Sequence, residues 1–278
     1  MHTLQAIITG AIQGLSEFLP ISSSAHIVFS NELYELILGI KEAGLQEEIF
    51  FDIIVHLGTL FAVLIYFFKD LKEIFTGFFS AIKSKNYNNE NFKIVNFIVL
   101  STIITGFIGL LIKEPAEKLI SNPQSICILL FITGLILLTS EKFYKGNKEI
   151  TLKNSILIAI AQGLAVLPGF SRSGLTISMA LLCGIERVKA GRFSFLMSIP
   201  IIILASMIYP LIELDFSEIS TFNHKAIILG FLTSFIVGYL CIKYFMKLLG
   251  RLNLRIFGYY CLVASVLMFA LFQVFHHQ

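Results

Sequence analysis

Two clusters of residues able to handle a phosphate stand in a chain otherwise built for lipid. The first holds Glu17, Ser22, Ser23, Ser24 and His26; the second is Ser171-Arg172-Ser173, bracketed by Gly169 and Gly174. An arginine at membrane depth costs about 2.5–3.5 kcal/mol on insertion scales and marks function by default. The bland alternative for Arg172 is an interfacial arginine snorkelling to water. Its neighbours favour an anion site: hydroxyl donors, backbone N–H groups at a helix start, and a guanidinium fork shaped for phosphate oxygens. Ser22, Ser171, Ser173, Gly169 and Gly174 join Arg172 as the residues expected to hold that anion. Gln13 precedes Glu17 by four residues, so both project from one helical face. A carboxylate there needs either Arg172 as an ion partner or a divalent cation, Mg²⁺ or Ca²⁺, with Gln13 as a neutral oxygen and substrate phosphates completing the shell. Both readings stay open.

Serine hydroxyl, imidazole and carboxylate are the parts of an activated nucleophile. Ser23 is expected to attack, His26 to act as its base, and Glu17 to hold the cation. Attack by Ser22, by His26 itself, or by a water activated by His26 stays open. Helix capping alone accounts for one or two of the serines. Asp52 and His56, with Ser194 and Ser198 at matching places, are read as supporting residues.

The two clusters belong to one sentence written twice. Q-G-L-S-E-F-L-P-I-S-S-S-A-H begins at Gln13 and Q-G-L-A-V-L-P-G-F-S-R-S-G begins at Gln162. A second correspondence follows, with Asp52 and His56 aligned to Ser194 and Ser198. Repeated polar, Gly/Pro-broken segments in two hydrophobic halves point to the functional site of an internally duplicated membrane protein.

The 278 residues are 56% hydrophobic and 14% charged, with mean hydropathy +0.83. Soluble domains carry charge nearer to ~25%, so the expected class is all-α and polytopic. A span needs about 20 apolar residues, and six stretches meet or approach that: 49–68, 93–112, 124–140, 192–212, 225–245 and 255–275. Residues 3–30 and 154–185 are broken by Pro20 and Pro168 and read as re-entrant helical hairpins. Lysine and arginine prevail in 69–93, 141–153, 186–192 and 243–255, whereas 32–52 and 213–225 are acidic. The basic loops mark the cytoplasmic side. One arrangement satisfies them all. A single membrane domain, 1–278, comprises repeat 1–140 and an inverted repeat 150–278, with both termini outside. No secretory signal is expected at the start. Cys127, Cys183, Cys241 and Cys261 stand singly in apolar runs and suggest neither disulfides nor a metal framework. The net charge of +3 gives no ground for nucleic acid, and no G-x-x-x-x-G-K-[ST] or D-D-x-x-D motif is present.

The run from Gln13 to His26, together with L-P-G-F-S-R-S-G-L-T from Leu167 to Thr176, closely resembles the two signatures of the bacterial undecaprenyl-pyrophosphate phosphatase, or bacitracin-resistance, family. The run Gly191–Pro200 is similar to that family too, and the likeness covers the full length. The resemblance implies hydrolysis of a C55 isoprenyl pyrophosphate lipid to the monophosphate, recycling the carrier for peptidoglycan. It also implies a divalent cation and a multi-pass protein of the bacterial cytoplasmic (inner) membrane with its site open to the outer face. Family roles fall on Glu17, Ser22, Ser23, His26, Ser171, Arg172 and Ser173. At the first place of the Glu/Gln-x-x-x-Glu motif this chain has the neutral Gln13, so the cation would lean on Glu17. Association into a homodimer is left open. The rival reading is a transporter or flippase for an anionic lipid or small anion. It explains an inverted repeat and Arg172 but gives Glu17, Ser23 and His26 nothing to do.

Overall fold

The computed structural model describes residues 1–38, 44–120, 122–214 and 219–275. Lys41, Glu42, Asp215 and Glu218, which belong to the 32–52 and 213–225 segments read as acidic, lie outside the described residues. Among the described residues the chain is a succession of α-helices without a β-sheet.

Each broken segment is a helix pair. The first is α1 (Thr3–Phe18) and α2 (Ser23–Leu38). Six long helices are α3 (Leu45–Tyr66), α5 (Glu90–Leu111), α7 (Pro123–Phe143), α10 (Arg187–Glu213), α11 (His224–Leu249) and α12 (Arg255–Phe275). The second broken pair, between α7 and α10, is α8 (Leu152–Leu164) and α9 (Arg172–Leu182). All six long helices contain a stretch long and apolar enough to cross a membrane. They fall on the six expected spans, with α10 starting earlier because Glu186 caps it by accepting from the Val188 and Lys189 N–H groups. The 69–93 stretch, read from its lysines as a loop, is mostly helix and corrects that reading. There α4 (Phe68–Lys83) buries Ile74 and Ala81 and leaves Phe75, Phe79 and Ile82 exposed. A short α6 (Lys113–Ile120) precedes α7.

Side-chain caps start these helices where the sequence places Asn, Thr or Ser. Asn89 accepts from the Asn91 N–H for α5, Asn122 with Pro123 opens α7, Thr151 opens α8 and Asn223 opens α11.

The packing partners are exchanged between the halves. Helix α1 of the first half lies on α11 of the second, and α8 of the second lies on α5 of the first. The α1–α11 approach is close. A Cβ on Gly10 would stand 2.5 Å from the Gly230 carbonyl oxygen, and one on Gly14 would stand 2.7 Å from that of Ser234. Small residues at such crossings let membrane helices touch backbone to backbone. Beneath the end of α1, Phe18 meets the Phe195 ring edge-on at 5.6 Å, and Phe195 continues to Phe245 at 6.1 Å. This aromatic row anchors the residue next to Glu17.

Contacts sort the connecting segments into two ends. At one end the Met1 amine lies 2.7 Å from Glu47, which also accepts from the Asn223 N–H at 2.9 Å. At the other, Arg192 meets Asp70 at 2.6 Å and Arg187 meets Glu141 at 2.5 Å. Glu141 also accepts from the Leu254 N–H at 2.9 Å, and Lys189 pairs with Glu149. These are the same two groups of segments that loop charge separates.

Candidate active site

The site forms where the two broken segments turn. Pro20 disfavours helix at Leu19, which is extended (φ −72°, ψ 145°), so α1 stops at Phe18. The chain then reverses through Ser22, whose φ of 70° is unusual for a residue with a side chain. The Ser22 hydroxyl accepts from the Ala25 N–H at 3.3 Å and thereby caps α2. In the second segment Gly169 takes φ +102°, and a Cβ there would stand 2.5 Å from the Ile126 carbonyl oxygen. The Ser171 hydroxyl then accepts from the Gly174 N–H at 3.1 Å and caps α9. Each turn therefore ends in a serine cap at a helix N-terminus. Non-glycine residues with positive φ cost energy and persist where the surroundings hold them.

Three contacts bring the turns together. The Ser173 hydroxyl donates to the Leu19 carbonyl at 3.0 Å, and the Gly169 N–H donates to the Ser24 hydroxyl at 3.3 Å. Arg172 Nη2 donates to Glu17 Oε1 at 2.5 Å. Glu17 Oε2 accepts from the Ser23 hydroxyl at 2.8 Å and from Gln13 Nε2 at 3.1 Å. Glu17 and Arg172 are mostly buried, with 7% and 15% of their side chains exposed. Two buried polar atoms at this junction have no hydrogen-bond partner among the described residues: Arg172 Nη1 and Gln13 Oε1. One is a cationic donor and the other a neutral acceptor, so the junction can take an anion on one side and a cation or water on the other.

His26 sits elsewhere in this network. Its Nδ1 lies 2.7 Å from the Ser22 carbonyl oxygen, and its Nε2 lies 2.6 Å from the Tyr260 hydroxyl of α12. A carbonyl only accepts, so Nδ1 carries the proton and Tyr260 donates to Nε2 when the ring is neutral. The two rings stack at 5.6 Å. Both ring nitrogens are thus engaged away from Ser23, whose hydroxyl is on Glu17. The expected Ser23–His26 pair is replaced here by Ser23–Glu17, and His26 pins the carbonyl of the strained residue one place before Ser23.

The remaining expected residues divide. Ser171 and Ser173 are buried, with their hydroxyls 3.3 Å apart. Ser22 is buried and spends its hydroxyl on the α2 cap, with Ser24 3.2 Å away. Gly174 supplies the N–H that Ser171 caps. Ser194 pairs at 2.6 Å with Thr176, whose hydroxyl also donates to the Arg172 carbonyl at 2.7 Å. Ser194 therefore braces the first turn of α9. Ser198 turns back onto its own helix, donating to the Phe195 carbonyl at 2.7 Å. His56 Nδ1 lies 2.8 Å from the Asp52 carbonyl oxygen and 3.5 Å from the Asp52 carboxylate. Asp52 is open, with 55% of its side chain exposed.

Sequence reading missed three residues here. Tyr260 stands 234 residues beyond His26 in an apolar helix and gives no local signal. Thr133 of α7 receives the Ser171 N–H at 3.4 Å, and nothing in the sequence around it distinguishes it from a core threonine. The third, Thr176, is the last residue of the second motif, but the sequence gives it no role. Among the described residues no group of three His, Cys, Asp or Glu side chains could by itself cage a metal.

Comparison with known proteins gives a consistent result. Similar curated proteins include an undecaprenyl-diphosphatase of Methanobrevibacter smithii, 36% identical over 281 residues and covering 97% of each chain. Another, from Methanosphaera stadtmanae, is 39% identical over 282 residues, covering 96% of this chain and 97% of its own. An undecaprenyl-diphosphatase 2 of Halalkalibacterium halodurans is 37% identical over 278 residues, covering 98% and 97%. The family profile described as Bacitracin resistance protein BacA matches residues 6–267, a range that takes in all but the first residues of α1, the whole second broken segment and every residue of the junction. The paired turns, their serine caps and the Glu17–Arg172 bridge are therefore the centre of a chain that belongs to the bacitracin resistance protein BacA family.

Proposed function

We propose that this protein hydrolyses undecaprenyl pyrophosphate to undecaprenyl phosphate and inorganic phosphate, returning the lipid carrier to cell-wall synthesis. One observation carries the reading: a serine hydroxyl hydrogen-bonded to a buried carboxylate stands beside an arginine with one guanidinium nitrogen unspent. A phosphoryl-transfer site needs a nucleophile, a proton acceptor and a clamp for charge. A transporter or flippase needs the clamp but gains nothing from Ser23 on Glu17.

The terminal phosphate enters between the N-termini of α2 and α9, where backbone N–H groups and Arg172 Nη1 meet its oxygens. Ser23 Oγ attacks the terminal phosphorus as Glu17 accepts the hydroxyl proton. The bond to the bridging oxygen breaks and undecaprenyl phosphate departs with that electron pair. Water then attacks the phosphoserine, releasing inorganic phosphate and restoring the Ser23 hydroxyl. His26 and Tyr260 hold the Ser22 turn so that Ser23 keeps its bearing.

Gln13 Oε1, buried without a partner, and the Glu17 carboxylate would be the residues to hold a Mg²⁺ or Ca²⁺ ion, which would supply positive charge to neutralise the leaving group. The two helix pairs are re-entrant, entering from opposite faces of the membrane as inverted repeats, and the site opens to the side away from the cytoplasm. Supporting this are the exchanged packing and the segregation of basic segments at one end.

Phosphate release by the purified protein in detergent tests the reading, with undecaprenyl or farnesyl pyrophosphate as substrate. Release that is abolished by a chelator and restored by Mg²⁺ or Ca²⁺ is expected. No release with the folded protein in the presence of either ion would return the transporter to first place.

A further inference from the structure

Helix α4 begins one residue after α3 ends, with only Phe67 between them. The membrane-spanning stretch of α3 runs to Tyr66, so α4 starts where a span leaves the hydrocarbon. It is not a span itself, since Lys69, Asp70, Lys72, Glu73 and Lys83 all fall within its 16 residues. Three faces follow from a turn of about 100° per residue. The first meets protein: Ile74 and Ala81 are buried, Asp70 lies 2.6 Å from Arg192 of α10, and the Phe78 ring stacks on Phe92 of α5 at 5.4 Å. Beside it Phe68, Phe75, Phe79 and Ile82 share a stripe about 60° wide. All four are exposed, Phe79 by 65%. On the far side of the stripe stand Lys72, Lys83 and Lys69, exposed and without an ion pair among the described residues.

In water such a stripe would be an open apolar patch. At the edge of a bilayer it lies among acyl chains, and the adjoining lysines reach the headgroups, which is how a helix rests in the plane of the interface. The lysines also select the sign of those headgroups. Of the two acids in α4, Asp70 is spent on Arg192, which leaves Glu73 against three lysines. We propose that α4 lies flat in the membrane interface and gathers anionic phospholipids, with its aromatic stripe among their acyl chains and Lys69, Lys72 and Lys83 at their phosphates. The Asp70–Arg192 bridge then fastens this lipid-holding helix to the start of α10. Helix α4 contributes no residue to the phosphate site, so the lipid surface stands whether or not the protein is a hydrolase.

The chain has no tryptophan, so Phe79→Trp places a single fluorescent reporter on the stripe. The full-length variant is reconstituted into mixed vesicles of phosphatidylcholine and phosphatidylglycerol, with bromine on the acyl chains of one lipid or the other. Bromine quenches only a tryptophan it touches. Both lipids should quench, and phosphatidylglycerol should show a relative binding constant about fivefold or more above phosphatidylcholine. High salt should bring the ratio towards one, as should replacing the three lysines together by Lys69→Gln, Lys72→Gln and Lys83→Gln. Phe107→Trp, near the other end of α5 and equally open, should be quenched alike by the two lipids. Absence of quenching at Phe79→Trp would show that protein, such as a second copy of the chain, covers the stripe, and would overturn the proposal. So would a ratio near one, a ratio unmoved by salt and by the glutamines, or the same preference at Phe107→Trp. If the triple variant does not fold, the salt series on Phe79→Trp alone decides.

Discussion

Arg172→Lys separates charge from geometry at the junction. The guanidinium spends Nη2 on Glu17 Oε1 at 2.5 Å and keeps Nη1 buried without a partner. A lysine has one nitrogen at the end of a flexible stem and cannot serve the carboxylate and a phosphate oxygen in the same planar fork. If the ammonium stays on Glu17, the buried ion pair survives and the fold with it, but the phosphate loses one charge-assisted hydrogen bond. Such a bond contributes about 1.5–3 kcal/mol, and every 1.4 kcal/mol is about tenfold. The expected fall in kcat/KM is therefore about 10- to 150-fold, with a melting temperature in detergent close to that of the wild type. Steady-state phosphate release gives the first number and a thermal melt the second. Near-normal kcat/KM would mean that Nη1 does not meet the phosphate, and Arg172 would be a structural counter-ion to Glu17. A large loss of thermal stability would show instead that the fork is needed to hold the two turns together.

Four further outcomes follow from the same geometry. Ser23→Ala should remove phosphate release altogether, and brief reaction with labelled substrate should leave an acid-stable phosphoserine on the wild type; an acid-labile label would move the nucleophile to His26. Tyr260→Phe keeps the stacked ring but removes the donor to His26 Nε2, so kcat should fall several-fold with KM unchanged, and an unaltered kcat would free Tyr260 of any positioning role. Gly14→Ala drives a Cβ to 2.7 Å from the Ser234 carbonyl oxygen and should cost roughly 1–3 kcal/mol. Gly106→Ala, with nothing within 4 Å, should cost nothing; melts of equal temperature for the two variants would contradict the close α1–α11 approach. Single cysteines placed at Glu32 and Lys145 should react and fail to react, respectively, with an impermeant reagent added outside the cell, and the reverse pattern would refute the proposed orientation.

What could be read from the sequence follows a physical boundary. The spans, the two broken segments and the serine caps were legible because hydropathy, proline and capping chemistry act over a turn or two of chain. Glu17 and Arg172 stood out because charge in an apolar stretch is costly, and the structure brings them together across 155 residues. Helix α4 was hidden by its own lysines, although Leu71, Ile74, Phe75 and Phe78 recur at helical spacing. The choice of partner was beyond reach. Whether Ser23 turns to Glu17 or to His26 depends on where the His26 ring points, and that is decided by the Tyr260 hydroxyl arriving from α12. Ser194 and Ser198 looked alike for the same reason. One finds Thr176 and the other its own helix.

The exchanged packing has a consequence for the order in which the molecule is made. Helix α8 lies on α5, which is already complete when α8 leaves the ribosome, so the second turn can dock as it emerges. Helix α1 finds only a smaller part of its seat waiting, on α3. Its glycines meet Gly230 and Ser234 of α11, more than two hundred residues downstream. The segment carrying Glu17 and Ser23 is thus synthesised first and docks only after the fifth long helix has been inserted, across a loop whose closure entropy must be met late. A chain arrested after α10 would contain Glu17, Ser23, Arg172 and the serine caps, yet lack both Tyr260 and the α11 surface against which α1 packs. Assembly is in this sense its own safeguard: Ser23 comes to face Arg172 only in a chain that is nearly complete.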